Sequence, residues 1–160
     1  GMAFGTGTHA TTAMCLEWLD AHPPQNLSVI DYGCGSGILS IAASRLGAAS
    51  VTAVDIDPQA LTATRENATR NRCAIDVLNP KALGATEADL VVANILANPL
   101  IVLAESLSGY VRAGGRLVMT GILAEQSEAV MSAYQELFEF VAPRHREEWV
   151  LLEGLRRMTS

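Results

Sequence analysis

Apolar runs and amphipathic segments alternate along the 160-residue chain. Residues 28–32, 51–55 and 88–94 form runs that are apolar at most positions. Strands buried on both faces of a parallel sheet show such runs, whereas half-exposed strands alternate between apolar and polar residues. A short strand is also predicted at residues 73–78, and another at residues 116–120. The pattern therefore predicts a sheet of mainly parallel strands.

Helices are predicted in the segments between these strands, and glycine or proline marks several of their ends. Gly47 follows one helix, and Pro58 begins the next, where its missing N–H is not needed. The tail holds two more strands, near residues 140–146 and 148–154, which we expect to be antiparallel. The predicted helices span about residues 10–19, 37–46, 59–71, 99–111 and 124–138.

This order of elements predicts an α/β fold. Strands and helices alternate, so helices cover both faces of a doubly wound sheet. With the tail included, the prediction is a seven-stranded, mostly parallel sheet with an antiparallel C-terminal strand. Ligands bind such sheets beyond the carboxyl ends of the strands. Gly33, Asp55 and Asn94 all fall at predicted carboxyl ends and are expected to share one site.

Composition indicates one domain with an ample core. The chain is 49% hydrophobic and 18% charged, and no apolar run approaches the ~18 residues of a membrane span. No charged segment followed by an apolar segment opens the chain, so we expect no signal peptide and a cytoplasmic location. Cys15, Cys34 and Cys73 lack metal-ligand spacing. We expect reduced thiols and no metal site.

The net charge is −6, from 11 Lys and Arg residues against 17 Asp and Glu residues. An acidic chain is unsuited to a broad phosphate-binding surface, so no direct nucleic-acid partner is expected. The charge is compatible with a basic protein partner, but it does not identify one.

The most informative stretch is a glycine-rich loop between a predicted strand and a predicted helix. Gly33, Gly35 and Gly37 alternate with other residues directly after the strand. Glycine permits tight turns and lets a ligand approach the backbone without meeting a Cβ atom. Asp55 closes the next strand, 18 residues (55 − 37) after Gly37. Acidic side chains at about that separation bind ribose hydroxyls, so the site is predicted to hold a nucleoside-containing cofactor.

The glycine spacing distinguishes between such cofactors. A dinucleotide fingerprint requires G-x-G-x-x-G, but Ile38 and Ser40 occupy the third glycine position in its two registers. The spacing present, D-x-G-x-G-x-G, resembles the first motif of class I S-adenosylmethionine-dependent methyltransferases, which have a Rossmann-like fold. The resemblance implies that the motif residues bind S-adenosyl-L-methionine; they are Asp31, Gly33, Gly35 and Gly37.

The N-terminal segment carries a second motif. Thr8 is predicted to cap the first helix, and free N–H groups at a helix start can receive a carboxylate. Residues 3–12 include Phe-Gly-Thr-Gly-Thr-His and are similar to the first motif of the PrmA family. That family comprises bacterial methyltransferases that modify ribosomal protein eleven of the large subunit. The similarity covers essentially the whole chain and is strongest in residues 3–12, 29–39, 55–60, 92–97, 121–124 and 147–149.

This resemblance implies roles for single residues. Asn94 matches the start of the motif that faces the acceptor amine, and it is the candidate catalytic residue. The family methylates lysine side chains and the N-terminal α-amine of its ribosomal substrate. The resemblance therefore implies a protein-lysine N-methyltransferase with a basic ribosomal protein as partner. Positions matching the family's cofactor contacts are Thr12, Gly33, Asp55 and Asn94, with Phe4 and Thr6 in the N-terminal loop.

The resemblance also implies a domain organisation. Proteins of the family carry a separate N-terminal substrate-recognition domain, and residues 1–160 resemble only their catalytic part. We therefore expect residues 1–160 to form one catalytic domain, with the recognition domain absent.

Amine methylation is consistent with the residues present. The nucleophile must be a neutral amine, whereas a free lysine side chain has a pKa of about 10.4. A closed, desolvated pocket lowers that pKa. The amide oxygen of Asn94 can accept the amine's hydrogens and so direct its lone pair. Positioning then supplies much of the rate, with no need for a metal ion.

Three alternatives stay open. Nucleic-acid and release-factor amino methyltransferases share this fold, but residues 94–97 lack the aromatic ring that stacks on a flipped base. A lysine methyltransferase for another protein, such as an electron-transfer flavoprotein subunit, shares most of the expected features. The third alternative is a fragment that binds the cofactor without turning it over.

Overall fold

The computed structural model describes residues 7–158, in which strands and helices alternate much as the sequence pattern predicts. The strands are β1 (Ser28–Tyr32), β2 (Ser50–Val54), β3 (Asp76–Leu78), β4 (Ala88–Asn94), β5 (Val111–Leu123), β6 (Phe138–Phe140), β7 (Arg144–Arg146) and β8 (Trp149–Arg156). The helices are α1 (Gly7–Ala21), α2 (Ile38–Arg45), α3 (Pro58–Arg70), α4 (Pro80–Leu83), α5 (Ala97–Val102), α6 (Ala104–Gly109) and α7 (Ser127–Tyr134). A 3₁₀ turn at Ala124–Gln126 precedes α7.

The described strands form one sheet, in the order β3-β2-β1-β4-β5-β8. The first five of these strands are parallel to one another, and β8 is antiparallel to β5. On the outer side of β8, β6 pairs with residues 154–156 and β7 pairs with residues 149–151. The two short strands thus share the seventh position. The predicted fold class is confirmed, including the antiparallel C-terminal strand.

Neighbouring residues of each central strand face two different hydrophobic cores. In β1, Val29 packs among residues of α1 and α2, such as Trp18 and Leu39. The next residue, Ile30, belongs to the core that contains Leu100 of α5 and Tyr134 of α7. Because both faces of the sheet are covered, most positions of the central strands β1, β2 and β4 are buried. This explains the continuous apolar runs in the sequence.

Two predicted helices are wrong in their extent. The helix predicted at residues 99–111 is two helices, α5 and α6, which meet at Leu103. Val111 is already part of β5, where it pairs with Ala88. The helix predicted at residues 124–138 ends at Tyr134, because Phe138 enters β6 and is buried in the core. In both cases tertiary packing overrides a continuous helical pattern.

Smaller differences occur at strand and turn positions. The tail strand predicted at residues 140–146 is divided into β6 and β7, with Pro143 between them, where a proline cannot donate a ladder hydrogen bond. Only residues 76–78 of the strand predicted at 73–78 pair with β2. The helix α4 was not predicted, although Asn79 followed by Pro80 is a typical helix start. Thr8 lies inside α1, which begins at Gly7, rather than at its cap. In residues 7–158, no helix is both long and apolar enough to cross a membrane.

Candidate active site

The strand register brings the predicted site residues to one edge of the sheet. Tyr32 of β1 is paired with Val54 of β2 and with Ala93 of β4. The residues that follow, Gly33, Asp55 and Asn94, therefore lie in one row at the carboxyl ends of three adjacent strands. The backbone oxygen of Asn94 lies 3.9 Å from the position of a Cβ atom built on Gly33. The sheet thus places these three residues together, as the sequence predicted.

Two glycines of the loop after β1 have different surroundings. Gly33 has φ +81°, and a Cβ atom there would lie 2.4 Å from Cγ2 of Ile95. Its requirement for glycine therefore comes from packing within the protein. Gly35 has φ +55°, and a Cβ atom there would meet no atom within 4 Å. The space beside Gly35 is open, so Gly35 is the glycine of this pair that a ligand can approach.

The carboxylate of Asp55 is oriented by two backbone N–H groups. Gly35 donates to Oδ2 at 3.0 Å, and Asp57 donates to Oδ1 at 3.0 Å. Each carboxylate oxygen can accept more than one hydrogen bond, so Asp55 keeps acceptor capacity for two further hydroxyl groups. The side chain is half-buried at the end of β2. This geometry fits the two hydroxyls of a ribose.

Asp31 is a buried carboxyl group with one unsatisfied oxygen. Its Oδ2 accepts a 2.7 Å hydrogen bond from the Ser40 hydroxyl, whereas its buried Oδ1 has no partner within residues 7–158. Burial raises the pKa of Asp31 from 3.8 to about 6, although hydrogen bonds from Ser40 oppose the shift. An orphaned buried acceptor is costly. A positively charged donor that reached this oxygen, such as the ammonium group of S-adenosylmethionine, would satisfy it.

Asn94 ends a chain of three hydrogen-bonded side chains. The hydroxyl of Thr120, in β5, donates to Asn94 Oδ1 at 2.9 Å, and Cys15 Sγ lies 3.2 Å from Thr120 Oγ1. Because the hydroxyl has one hydrogen and gives it to Asn94, the Cys15 thiol is the donor to Thr120. Burial raises the pKa of Cys15 to about 12, so the thiol keeps that proton. This series of hydrogen bonds fixes the orientation of the Asn94 amide and leaves one lone pair of Oδ1 for another donor.

The remaining predicted cofactor residues lie in or ahead of α1. Thr12 is half-buried on α1, one turn before Cys15, so it lies on the same face of the helix. Phe4 and Thr6 lie outside the described residues. Their predicted contacts therefore stay predictions.

Sequence reasoning missed several polar residues that contact this edge. Thr120 lies within β5, beside Asn94 in the register of the sheet, and its only signal was that a polar residue ended the strand predicted at residues 116–120. Ser40 of α2 binds Asp31. Thr64 and Asn67 of α3 hydrogen-bond to the carbonyls of the glycine loop. Thr64 occupies the buried face of α3 with Leu61 and Ala68, which is an unusual position for a polar side chain.

Apolar side chains surround the same edge. Ile38, Ile56 and Leu96 are 46%, 77% and 42% exposed, and each lies in the segment that follows one of the three strands. A concavity of about 600 Å³ lies elsewhere, between α7 and β6, so it is not part of this site; it is lined by Glu128, Met131, Ser132, Gln135, Phe138, Glu139, Phe140 and Arg157. The described residues contain no cluster of three His, Cys, Asp or Glu side chains arranged to hold a metal ion.

Comparisons with known proteins agree on one family. The family model described as "Ribosomal protein L11 methyltransferase (PrmA)" matches residues 1–157. Proteins named ribosomal protein L11 methyltransferase from Methylococcus capsulatus and Thiobacillus denitrificans are 60% and 55% identical to this chain. Both matches cover 98% of the chain, but only 55% and 53% of those proteins. The chain therefore spans about half the length of these curated relatives.

Solved structures support the same conclusion. A crystal structure of a ribosomal protein L11 methylase from Lactobacillus delbrueckii subsp. bulgaricus superimposes with a TM-score of 0.84 at 34% identity. The match covers 94% of this chain and 81% of that one. A TehB-like SAM-dependent methyltransferase from Corynebacterium glutamicum has a TM-score of 0.72 at 15% identity, over 89% of this chain and 87% of that one, and shows the fold alone. Because the family model matches residues 1–157, nearly the full length of this chain, the chain belongs to the PrmA family of ribosomal protein L11 methyltransferases.

Proposed function

We propose that this chain binds S-adenosylmethionine at the carboxyl edge of β1, β2 and β4 and transfers its methyl group to amino groups of ribosomal protein L11. The observation that carries the proposal is the row formed by Gly33, Asp55 and Asn94, with the orphaned oxygen of Asp31 behind it. The names of the relatives support the choice of acceptor.

The residues present fit the cofactor in chemistry and placement. The oriented carboxylate of Asp55 would accept hydrogen bonds from the ribose hydroxyls. The open side of Gly35 gives the ligand room to approach the backbone. Asp31 would balance the positive charge of the methionine portion, and Thr12, half-buried on α1, is proposed as a further cofactor contact. When bound, S-adenosylmethionine supplies a methyl group on a cationic sulfur, which an amine displaces in line.

Asn94 is proposed to position the acceptor amine. Thr120 occupies one acceptor position on Oδ1, so the remaining lone pair can receive an N–H of the amine. Holding the amine in one orientation supplies rate through proximity. The amine must be neutral to react, and burial beside apolar side chains such as Leu96 would lower its pKa.

The proposed acceptors are lysine side chains and the N-terminal α-amine of the ribosomal protein. A net charge of −6 on this chain suits a basic acceptor protein. A ribosomal substrate would place the reaction in the cytoplasm.

The first test is to titrate S-adenosylmethionine and, separately, NAD into the chain by calorimetry. We expect binding of S-adenosylmethionine alone, and binding of NAD alone would overturn the proposal. The second test is to incubate the chain with S-adenosylmethionine and purified ribosomal protein L11 and to locate methylated amines by mass spectrometry. The Asn94→Ala variant is the control. Cofactor binding without transfer to L11 would limit the proposal to a cofactor-binding role.

A further inference from the structure

Two side chains of α3, one turn apart, contact the glycine loop from outside. They are Thr64 and Asn67, at positions i and i+3 of the helix, and they therefore point to the same side. Neither residue belongs to the row that Gly33, Asp55 and Asn94 form at the carboxyl ends of the strands. Their partners are backbone and side-chain atoms of residues 34–37.

Thr64 makes two polar contacts with this loop and also occupies the space in which a side chain at Gly37 would lie. Its hydroxyl donates to the carbonyl of Gly35 at 3.0 Å, and Cys34 Sγ lies 3.3 Å from the same hydroxyl oxygen. A Cβ atom built on Gly37 would lie 2.8 Å from Cγ2 of Thr64. Thr64 has no exposed surface, although it is polar. A buried hydroxyl in mid-helix requires a partner, and the loop supplies it.

The thiol of Cys34 completes this arrangement. Because the Thr64 hydroxyl gives its single hydrogen to Gly35, the thiol of Cys34 donates to Thr64. Burial raises the pKa of Cys34 to about 12, so the thiol is protonated and able to donate. Asn67 adds a second hydrogen bond, from Nδ2 to the carbonyl of Ser36 at 2.8 Å. The Oδ1 atom of Asn67 accepts from Arg70 at 3.2 Å, which sets the orientation of the amide.

These contacts fix the direction of two loop peptides. In a trans peptide, the N–H points opposite to the C=O. Holding the Gly35 carbonyl toward α3 therefore turns the Ser36 N–H away from α3. On the other flank, the Gly35 N–H is held by Asp55. The loop conformation that leaves the space beside Gly35 open thus depends on bonds from α3 and on one from the end of β2.

We propose that Thr64 and Asn67 are positioning residues, which hold the glycine loop in its cofactor-binding conformation before the cofactor arrives. This inference rests on the proposed function, because it presumes that the loop receives S-adenosylmethionine. Neither side chain touches the space beside Gly35. Both act through the loop, and their loss weakens binding by letting the loop adopt other conformations.

The experiment compares four variants with the unmodified chain. Thr64→Val removes the hydroxyl at nearly constant shape, and Thr64→Ser retains the hydroxyl without the methyl group. Asn67→Ala removes the second bond. Thr62→Val is the matched control, an exposed threonine two residues earlier in α3. Calorimetry measures the Kd of S-adenosylhomocysteine, and hydrogen exchange measures protection of the Gly35 and Gly37 amides in the ligand-free protein.

We expect Thr64→Val and Asn67→Ala each to raise Kd about tenfold, with Thr64→Ser and Thr62→Val within about threefold of the unmodified chain. Amide exchange should accelerate at Gly35 and Gly37 without a matching change in the central strands. A purely structural role would lower the unfolding temperature but leave the affinity of the folded protein unchanged. If the unmodified chain binds and Thr64→Val binds equally well, the inference is wrong. If the unmodified chain does not bind, the proposed function itself fails and the inference fails with it.

Discussion

The hydroxyl of Thr120 donates a 2.9 Å hydrogen bond to Oδ1 of Asn94, and the two residues are directly paired in the register of β4 and β5. Asn94 has partial access to solvent, whereas Thr120 is fully buried. Thr120 therefore determines the orientation in which Asn94 presents its amide group.

The substitution Thr120→Val should remove this hydrogen bond with little change in side-chain volume. We expect the kcat of methyl transfer to fall about fivefold, since a neutral hydrogen bond contributes on the order of 1 kcal/mol. Thr120→Ser keeps the hydroxyl and should retain most of the activity. Steady-state kinetics with ribosomal protein L11 measure the effect, alongside cofactor binding by calorimetry. Unchanged kcat in Thr120→Val would show that the orientation of Asn94 does not limit the reaction.

Asp55→Ala should weaken S-adenosylmethionine binding by about 1–3 kcal/mol, because hydrogen bonds from ribose to a charged group are lost. Asp57→Ala is the matched control. Asp57 accepts from the Gln59 N–H as the cap of α3, so its loss should cost about 1 kcal/mol of stability without a comparable loss of affinity. Calorimetry and chemical denaturation on both variants separate the two effects. Equal affinities for the two variants would remove Asp55 from the site.

Much of this site was predictable because strand ends are easy to locate in a parallel sheet. The continuous apolar runs end at Tyr32, Val54 and Ala93, and the register of the sheet aligns those ends. Once the runs are identified as parallel strands, Gly33, Asp55 and Asn94 must lie close together. The antiparallel tail followed from the same pattern.

The parts that could not be predicted depend on contacts between distant segments. Thr120 bonds to Asn94, 26 residues earlier, and Thr64 bonds to Gly35, 29 residues earlier. Polar residues on helices are usually solvated, so nothing local distinguished Thr64 from the exposed Thr62. The interruption at Leu103 and the entry of Phe138 into β6 likewise reflect tertiary packing rather than local propensity.

Substitution of two glycines should separate packing from ligand access. Gly33→Ala places a Cβ atom 2.4 Å from Ile95 Cγ2 at a φ of +81°, so we expect roughly 2–4 kcal/mol of destabilisation. Gly35→Ala meets no atom within 4 Å and should cost only about 1–2 kcal/mol of backbone strain. Its main effect should be weaker cofactor binding. Denaturation and calorimetry on both variants check the contrast, which fails if Gly33→Ala is as stable as the unmodified chain.

Asp31 should make the stability of the protein depend on pH in a defined direction. Its pKa in the folded protein is about 6, above the ordinary value of 3.8. The folded state therefore binds a proton more readily than the unfolded state. As pH rises from about 4 through 6, the penalty for the buried charge appears, and the contribution of Asp31 to stability falls by roughly 3 kcal/mol. Above that pH range, the contribution of Asp31 to stability no longer changes.

Asp31→Asn isolates this contribution, because the neutral amide can still accept a hydrogen bond from Ser40. Other carboxyl groups behave differently. The pKa of Asp89 is lowered by hydrogen bonds from Ser28 and Arg112, so Asp89 adds stability as pH rises.

The informative quantity is therefore the difference in unfolding free energy between Asp31→Asn and the unmodified chain, measured by chemical denaturation across this pH range. It should be near zero at about pH 4 and reach roughly 3 kcal/mol in favour of Asp31→Asn near pH 7.5. A difference that stays constant with pH would mean that Asp31 is not destabilised by burial.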